Sequence, residues 1–199
     1  MAENLERSVE GSATNSGTSV EAQPRRLPVW VILLAFVILA AFMALIGWGL
    51  NRSMRGAIAL GDPVPGFSMT TFDGQAIQTD QFAGKVVVLN FWASWCKPCE
   101  QEARELEEAF QYYKGDGEVV FLGLAYVDTE PNSLAYLEKF GITYPNGPDL
   151  ATKISQMFRV RGVPETFIID QSGRLAYFKA GPFSSTEEIL GVVDGILEE

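Results

Sequence analysis

The chain of 199 residues holds two cysteines and no histidine. Both cysteines lie in the run Trp95-Cys96-Lys97-Pro98-Cys99. Two thiols at this spacing can form a reversible disulfide or supply half of a metal site. Without histidine or a third cysteine, a four-ligand Cys/His zinc centre cannot be assembled, and no metal site is expected. A bridge between positions three apart closes too small a loop to stabilise a fold, so the pair points to reactivity rather than to scaffolding. Proton transfer must run through Glu, Asp, Lys, Tyr or Cys, because the commonest general acid/base is missing.

The elements around the pair decide which thiol attacks. Lys85 to Trp92 is an apolar, Val-rich run that reads as a strand buried on both faces. Pro98 to Tyr113 carries Ala103, Leu106, Phe110 and Tyr113 on one helical face, and Gly115 ends it. Cys96 therefore stands where a strand passes into a helix, with Pro98 in the first turn, where its missing N–H is tolerated. Free N–H groups, the helix dipole and the charge of Lys97 are expected to stabilise a Cys96 thiolate. Cys96 is then the nucleophile that forms a mixed disulfide, and Cys99, one turn on and less exposed, resolves it.

The rest of the chain positions that unit. Residues 1–24 are polar and aperiodic and read as a disordered tail. Residues 27–50 read as a transmembrane anchor: Val29 to Leu50 is uncharged, spans roughly 33 Å as a helix, and carries Trp30 and Trp48 near its ends. A cleaved signal peptide is the rival, but its apolar core would be shorter. Arg25 and Arg26 precede the run and Arg52 and Arg55 follow it, so charge leaves the orientation open. Residues 51–60 read as a linker and 61–199 as one catalytic domain.

Within that domain, Phe67–Thr71 and Ala76–Thr79 flank the turn signal Asp73-Gly74, which predicts an N-terminal β-hairpin. Glu118–Val127 reads as a second buried strand, Pro131–Phe140 and Leu150–Phe158 as helices, and Glu165–Asp170 with Leu175–Lys179 as a hairpin. Ser184–Leu197 reads as a closing helix capped by Ser184 or Ser185. This order predicts an α/β domain with a central mixed sheet flanked by helices. A net charge of −10 argues against nucleic acid as a partner.

The stretch Leu89-Asn90-Phe91-Trp92-Ala93-Ser94-Trp95-Cys96-Lys97-Pro98-Cys99 resembles the active-site strand and helix start of thioredoxin-like proteins. Gly162-Val163-Pro164-Glu165-Thr166-Phe167-Ile168-Ile169-Asp170 is similar to the second signature of the ResA/CcmG/TlpA branch, anchored oxidoreductases associated with cytochrome c maturation. The resemblance runs from about Gly61 to the C-terminus and implies a thioredoxin-like fold. It implies a cis Pro164 packed against the cysteines, with no cofactor beyond the redox-active Cys96–Cys99 disulfide. Substrate contacts are expected from Trp95, Lys97, Pro98, Val163 and Pro164.

Glu102 lies three residues after Cys99, on the same helical face, and could carry the proton of Cys99. Ordinary thioredoxins use a strand aspartate, whose place is taken here by Asn90. The resemblance assigns the duty to Glu102, although Glu100, Glu105, Glu107 and Glu108 on the same helix make a solvated-face reading equally available from the residues alone. It also places Glu165 beside the thiols, where a carboxylate opposes thiolate formation.

The function so implied is reduction of protein disulfides, with apocytochrome c as substrate and a membrane thiol-transfer protein as electron donor. The catalytic domain would lie on the extracytoplasmic side of the cell membrane. Three alternatives stay open: a general oxidase or isomerase of secreted proteins, a peroxiredoxin-type peroxidase, and a non-enzymatic metal-binding module.

Overall fold

The computed structural model describes residues 28–53 and 58–198. The expected disordered tail and the centre of the expected linker lie outside the described residues. Two compact units result, one holding the N-terminal helix and the other the catalytic domain. The first is a single helix, α1 (Val29–Ser53), whose Val29–Gly47 stretch has a mean hydropathy of 3.1 and none of its surface buried. Among the described residues none of that stretch is buried, in contrast to a core helix.

The catalytic domain begins with a small hairpin, β1 (Ser68–Thr70) and β2 (Ala76–Gln78), paired antiparallel around Gly74 at φ +87°. Its inward residues Met69 and Ile77 enter the main core. The central sheet contains β3 (Val86–Trp92), β4 (Val119–Ala125), β5 (Asn146–Pro148), β6 (Glu165–Ile169) and β7 (Leu175–Ala180), in the order β5-β4-β3-β6-β7. β3 runs parallel to β4 and antiparallel to β6, and β6 antiparallel to β7, so the sheet is mixed. The helices are α2 (Lys97–Tyr113), α3 (Glu130–Phe140), α4 (Lys153–Phe158) and α5 (Thr186–Leu197).

The pleat of β3 sorts the core into two layers. Val87, Leu89 and Phe91 join Leu122, Leu124, Phe158 and Phe167 on the face covered by the hairpin and α4. Val86 and Val88 join Phe121 and Ile168 on the opposite face, under Leu106 of α2 and Ile189 and Val193 of α5. Both layers are dry, which is why β3 reads as a continuous apolar run. Each fully buried Leu, Ile or Phe contributes about 1.5–3 kcal/mol of transfer free energy. The one polar interruption of β3, Asn90, falls on the α2/α5 face and is buried there.

Two sequence expectations are corrected. The predicted helix 150–158 is interrupted, because Ala151 and Thr152 adopt left-handed φ of 54° and only Lys153–Phe158 is α-helical. Asp149 supplies the reason. Its carboxylate accepts from the N–H groups of Ile154 (2.9 Å) and Ser155 (2.8 Å), fixing the helix start after the kink. The short edge strand β5 was not anticipated at all. At α5, Ser185 rather than Ser184 is the cap, with Oγ accepting from the N–H of Glu188 at 3.3 Å.

Candidate functional site

Cys96 occupies the N-cap of α2, with Lys97 and Pro98 opening the first turn. The two cysteines are joined in a disulfide, and both are buried, Cys96 3% and Cys99 1% exposed. The expected difference in exposure is thus small in this oxidised form. The backbone N–H of Cys99 donates to Cys96 Sγ at 3.1 Å, the interaction that would stabilise a thiolate at this atom once the bridge opens. The Val163-Pro164 peptide bond is cis, and Val163 presents its carbonyl oxygen 3.3 Å from Cys96 Sγ. A thiol could donate to that oxygen, whereas a thiolate would be repelled by it.

Lys97 acts differently from the sequence expectation. Its Nζ lies 3.1 Å from Glu100 Oε1, its side chain is 83% exposed, and Lys139 shares the same carboxylate at 3.3 Å. The hydrogen bond from Lys97 holds the Glu100 carboxyl below its ordinary value, with Lys139 adding to it against partial desolvation. Two ammoniums thus share one carboxylate, and the group in direct contact with Cys96 Sγ is the Cys99 N–H at the helix terminus.

Trp95 is 59% exposed, and its indole N–H donates to the carbonyl of Val127 at 3.1 Å. Val127 is itself exposed and holds φ of 45°, a strained value for a β-branched residue. Asp128 ties this loop to the cysteine loop, accepting from Ser94 N–H (2.6 Å), Ser94 Oγ–H (2.9 Å) and Thr129 N–H (2.8 Å). Neither Val127 nor Asp128 was singled out from sequence. The only signal was the Asp128-Thr129 pair before the helix start at Glu130-Pro131. On the inner side, Trp92 stacks on Tyr136 at 4.5 Å, and its indole N–H donates to Asn146 Oδ1 at 2.8 Å.

Glu102 is buried with no exposed surface, so the solvated-face reading is excluded. Its Oε1 accepts from Asn90 Nδ2 at 2.8 Å and its Oε2 from the Phe183 N–H at 3.0 Å. Burial raises its pKa from 4.5 to about 7, against the lowering effect of those two hydrogen bonds and of Lys179. Asn90 also donates to Thr166 Oγ1 at 3.0 Å, so an amide holds Glu102 from the strand position where ordinary thioredoxins titrate.

Glu165 is buried at the start of β6 but turns back on the loop before Val163, accepting from the N–H of Arg161 at 3.2 Å and from that of Gly162. Burial raises its pKa and these amides partly offset the rise. Its hydrogen bonds brace the turn that carries Val163, and among the described residues none reaches a sulfur. The site thus brings together Cys96, Cys99, Val163 and Pro164, with Trp95 at the rim and Glu102 behind. Among the described residues no group of three His, Cys, Asp or Glu side chains is disposed to hold a metal ion.

Comparison with known proteins agrees with this geometry. Residues 60–178 match the AhpC/TSA family. The thiol-disulfide oxidoreductase ResA of Geobacillus thermodenitrificans is 28% identical over 159 residues, covering 78% of this chain and 91% of that protein. The ResA of Bacillus cereus is 30% identical over 147 residues, covering 72% and 84%. Among solved structures, a thioredoxin-family thiol:disulfide interchange protein from Chlorobium tepidum superposes with a TM-score of 0.64 at 29% identity, covering 70% of this chain and 98% of that one.

Proposed function

Because the chain belongs to the AhpC/TSA family, and to its thioredoxin-like ResA/CcmG/TlpA kind, we propose that this thiol-disulfide oxidoreductase is a membrane-anchored reductant acting outside the cytoplasm. Its substrate in this reading is a protein disulfide of the apocytochrome c type, whose paired cysteines must be reduced before haem is attached. The observation that carries the reading is the seat of Cys96 at the N-cap of α2, with Sγ receiving the Cys99 N–H and lying against the Val163 carbonyl.

Starting from the dithiol, the Cys96 thiolate attacks one sulfur of the substrate disulfide. The substrate S–S bond breaks, a Cys96–substrate bond forms, and the other substrate sulfur leaves as a thiolate that takes up a proton. Cys99 then loses its proton to Glu102, one turn along the same helix face, and attacks Cys96 Sγ. The mixed disulfide breaks, the second substrate thiol leaves, and two electrons have passed to the substrate. A carboxyl group with a pKa of about 7 suits this exchange near neutral pH. Both Glu102 oxygens already accept hydrogen bonds, so the dry side of α2 that holds Cys99 is where a carried proton has a use. The resulting Cys96–Cys99 disulfide is reset by a membrane thiol-transfer protein, and helix α1 keeps the enzyme at the bilayer where such a donor resides.

The test is to trap the mixed disulfide. In cells carrying Cys99→Ala, Cys96 should retain extracytoplasmic proteins bearing paired cysteines, apocytochrome c among them. A trapped set dominated by cytoplasmic proteins would overturn both the side of the membrane and the role.

A further inference from the structure

Three residues in register cross the sheet beneath Glu102. Asn90 of β3 pairs with Thr166 of β6, and Thr166 pairs with Lys179 of β7. Paired residues share a face of the pleat, so all three belong to the α2/α5 side, where Glu102 is buried. Asn90 Nδ2 bonds both Glu102 and Thr166. Beyond them, Lys179 Nζ sits 5.1 Å from the centroid of the buried Phe183 ring, whose own backbone N–H holds the other Glu102 oxygen. Lys179 is ion-paired to Glu188 in the first turn of α5, with both side chains mostly shielded, 21% and 30% exposed. Glu188 is fixed in turn, because its Oε2 accepts from the Ser184 N–H at 2.8 Å.

We infer that the Lys179–Glu188 pair, set on the same face of the sheet as Glu102, is a secondary control on how readily that buried carboxyl holds its proton, making Lys179 a positioning residue for the thiol chemistry. The catalytic consequence rests on the proton role given to Glu102 above. Lys179 is a cation that acts on Glu102, and the attraction is reciprocal, lowering the carboxyl and raising the ammonium. The other charged or titratable groups facing Glu102 oppose ionisation or stay neutral. Glu105 on α2 repels it, and Tyr136 of α3 and Tyr144 ahead of β5 have phenols pushed upward by burial and further by Glu102 itself. Lys179 in turn faces Glu188 first and Tyr177 more weakly. Because the carboxyl has no exposed surface, a partly shielded ammonium is less screened than it would be in solvent, and Glu188 limits how far it acts.

The two partners therefore have opposite effects on Glu102 although they form one bond, and this separates the inference from a merely structural role. In the full-length oxidised protein in detergent, the Glu102 carboxyl is followed against pH by NMR of carbon-13-labelled glutamate, assigned by its loss in Glu102→Gln. Lys179→Gln should raise the midpoint by about half a pH unit or more, Glu188→Gln should lower it, and Lys179→Arg should stay near the parent. Gln at 188 keeps an acceptor for Ser184, so this variant retains the cap of α5 and reports even if Lys179→Gln folds poorly. Midpoints that move in the same direction in both Gln variants, or in neither, overturn the inference. Midpoints that move oppositely while the pH profile of disulfide exchange stays fixed uphold it and remove the proton role of Glu102 instead.

Discussion

Glu102 has no exposed surface, yet both of its oxygens are hydrogen-bonded, so two protonation states compete within one cavity. Its pKa rises on folding from 4.5 to about 7, which means that the folded state binds the extra proton between those values. The stability it allows is fully present below the unfolded pKa and is lost as pH rises through the folded one, by up to about 3 kcal/mol. Denaturant titrations of the oxidised protein should show stability falling between pH 5 and 8, and Glu102→Gln should flatten that slope. An unchanged slope would mean that Glu102 does not titrate in this range.

At the rim, the pairing of Lys97 with Glu100 makes a second prediction. Because Lys97 and Lys139 share that one carboxylate, Lys97→Ala should raise the Cys96 thiolate pKa and Glu100→Gln should lower it; the ultraviolet absorbance of the thiolate against pH reads both. Cys96 and Cys99 were legible because their type and spacing restrict what they can do, whereas the cis Pro164 was legible only through the family resemblance. The burial of Glu102 was not, since Glu100, Glu105, Glu107 and Glu108 share its helix and only the packing of Phe183 and Asn90 distinguishes it.

Loops, rather than strands, hold the reactive end together. Asp128 fastens the turn before Cys96 to the turn before α3 through two hydrogen bonds from Ser94, and a third, from the Thr129 N–H, holds its own turn. Asp128→Ala leaves two backbone N–H groups and a hydroxyl without this acceptor, which should cost about 1–3 kcal/mol. It should also free Trp95, slowing reaction with protein disulfides more than with a small disulfide reagent. Equal slowing of both would refute a docking role for this corner. On the other side of β4, a Cβ at Gly123 would lie 1.8 Å from Asn146 Oδ1 and 3.0 Å from Trp92 Nε1. Gly123→Ala should therefore push Asn146 off Trp92, at about 1–3 kcal/mol of overpacking, measurable as a fall in melting temperature. The same contacts explain why β5 was illegible. Asn146-Gly147-Pro148 has no apolar alternation, and the strand exists because Asn146 bridges Trp92, the Tyr144 carbonyl and the hairpin residue Phe72. The long buried strands announced themselves through Val-rich runs, but an edge held by one amide leaves no periodic trace.

At the scale of the molecule, the two units have opposite solvation demands. Helix α1 carries an apolar stretch with no buried residue among those described, while the catalytic domain closes its own core in three clusters and carries most of the acidic residues of a chain of net charge −10. An apolar stretch of 19 residues at a rise of about 1.5 Å per residue approaches the thickness of the hydrocarbon layer, which fits the proposed membrane anchor. The full chain should then remain with membranes through high-salt and alkaline washes and leave only with detergent; release by salt alone would refute insertion. Because the core clusters among the described residues are built from residues of the catalytic domain itself, removing residues 1–53 should yield a soluble protein that unfolds cooperatively and reduces a small disulfide at the parent rate. The same truncation, exported to the extracytoplasmic side, should fail to support reduction of its protein substrate at natural expression levels if, as proposed, the electron donor is confined to the membrane plane, since the truncated enzyme no longer is. Raising its concentration should restore function in proportion. A truncated enzyme as effective as the full chain at equal abundance would show that the helix delivers the domain but takes no part in coupling it to its donor.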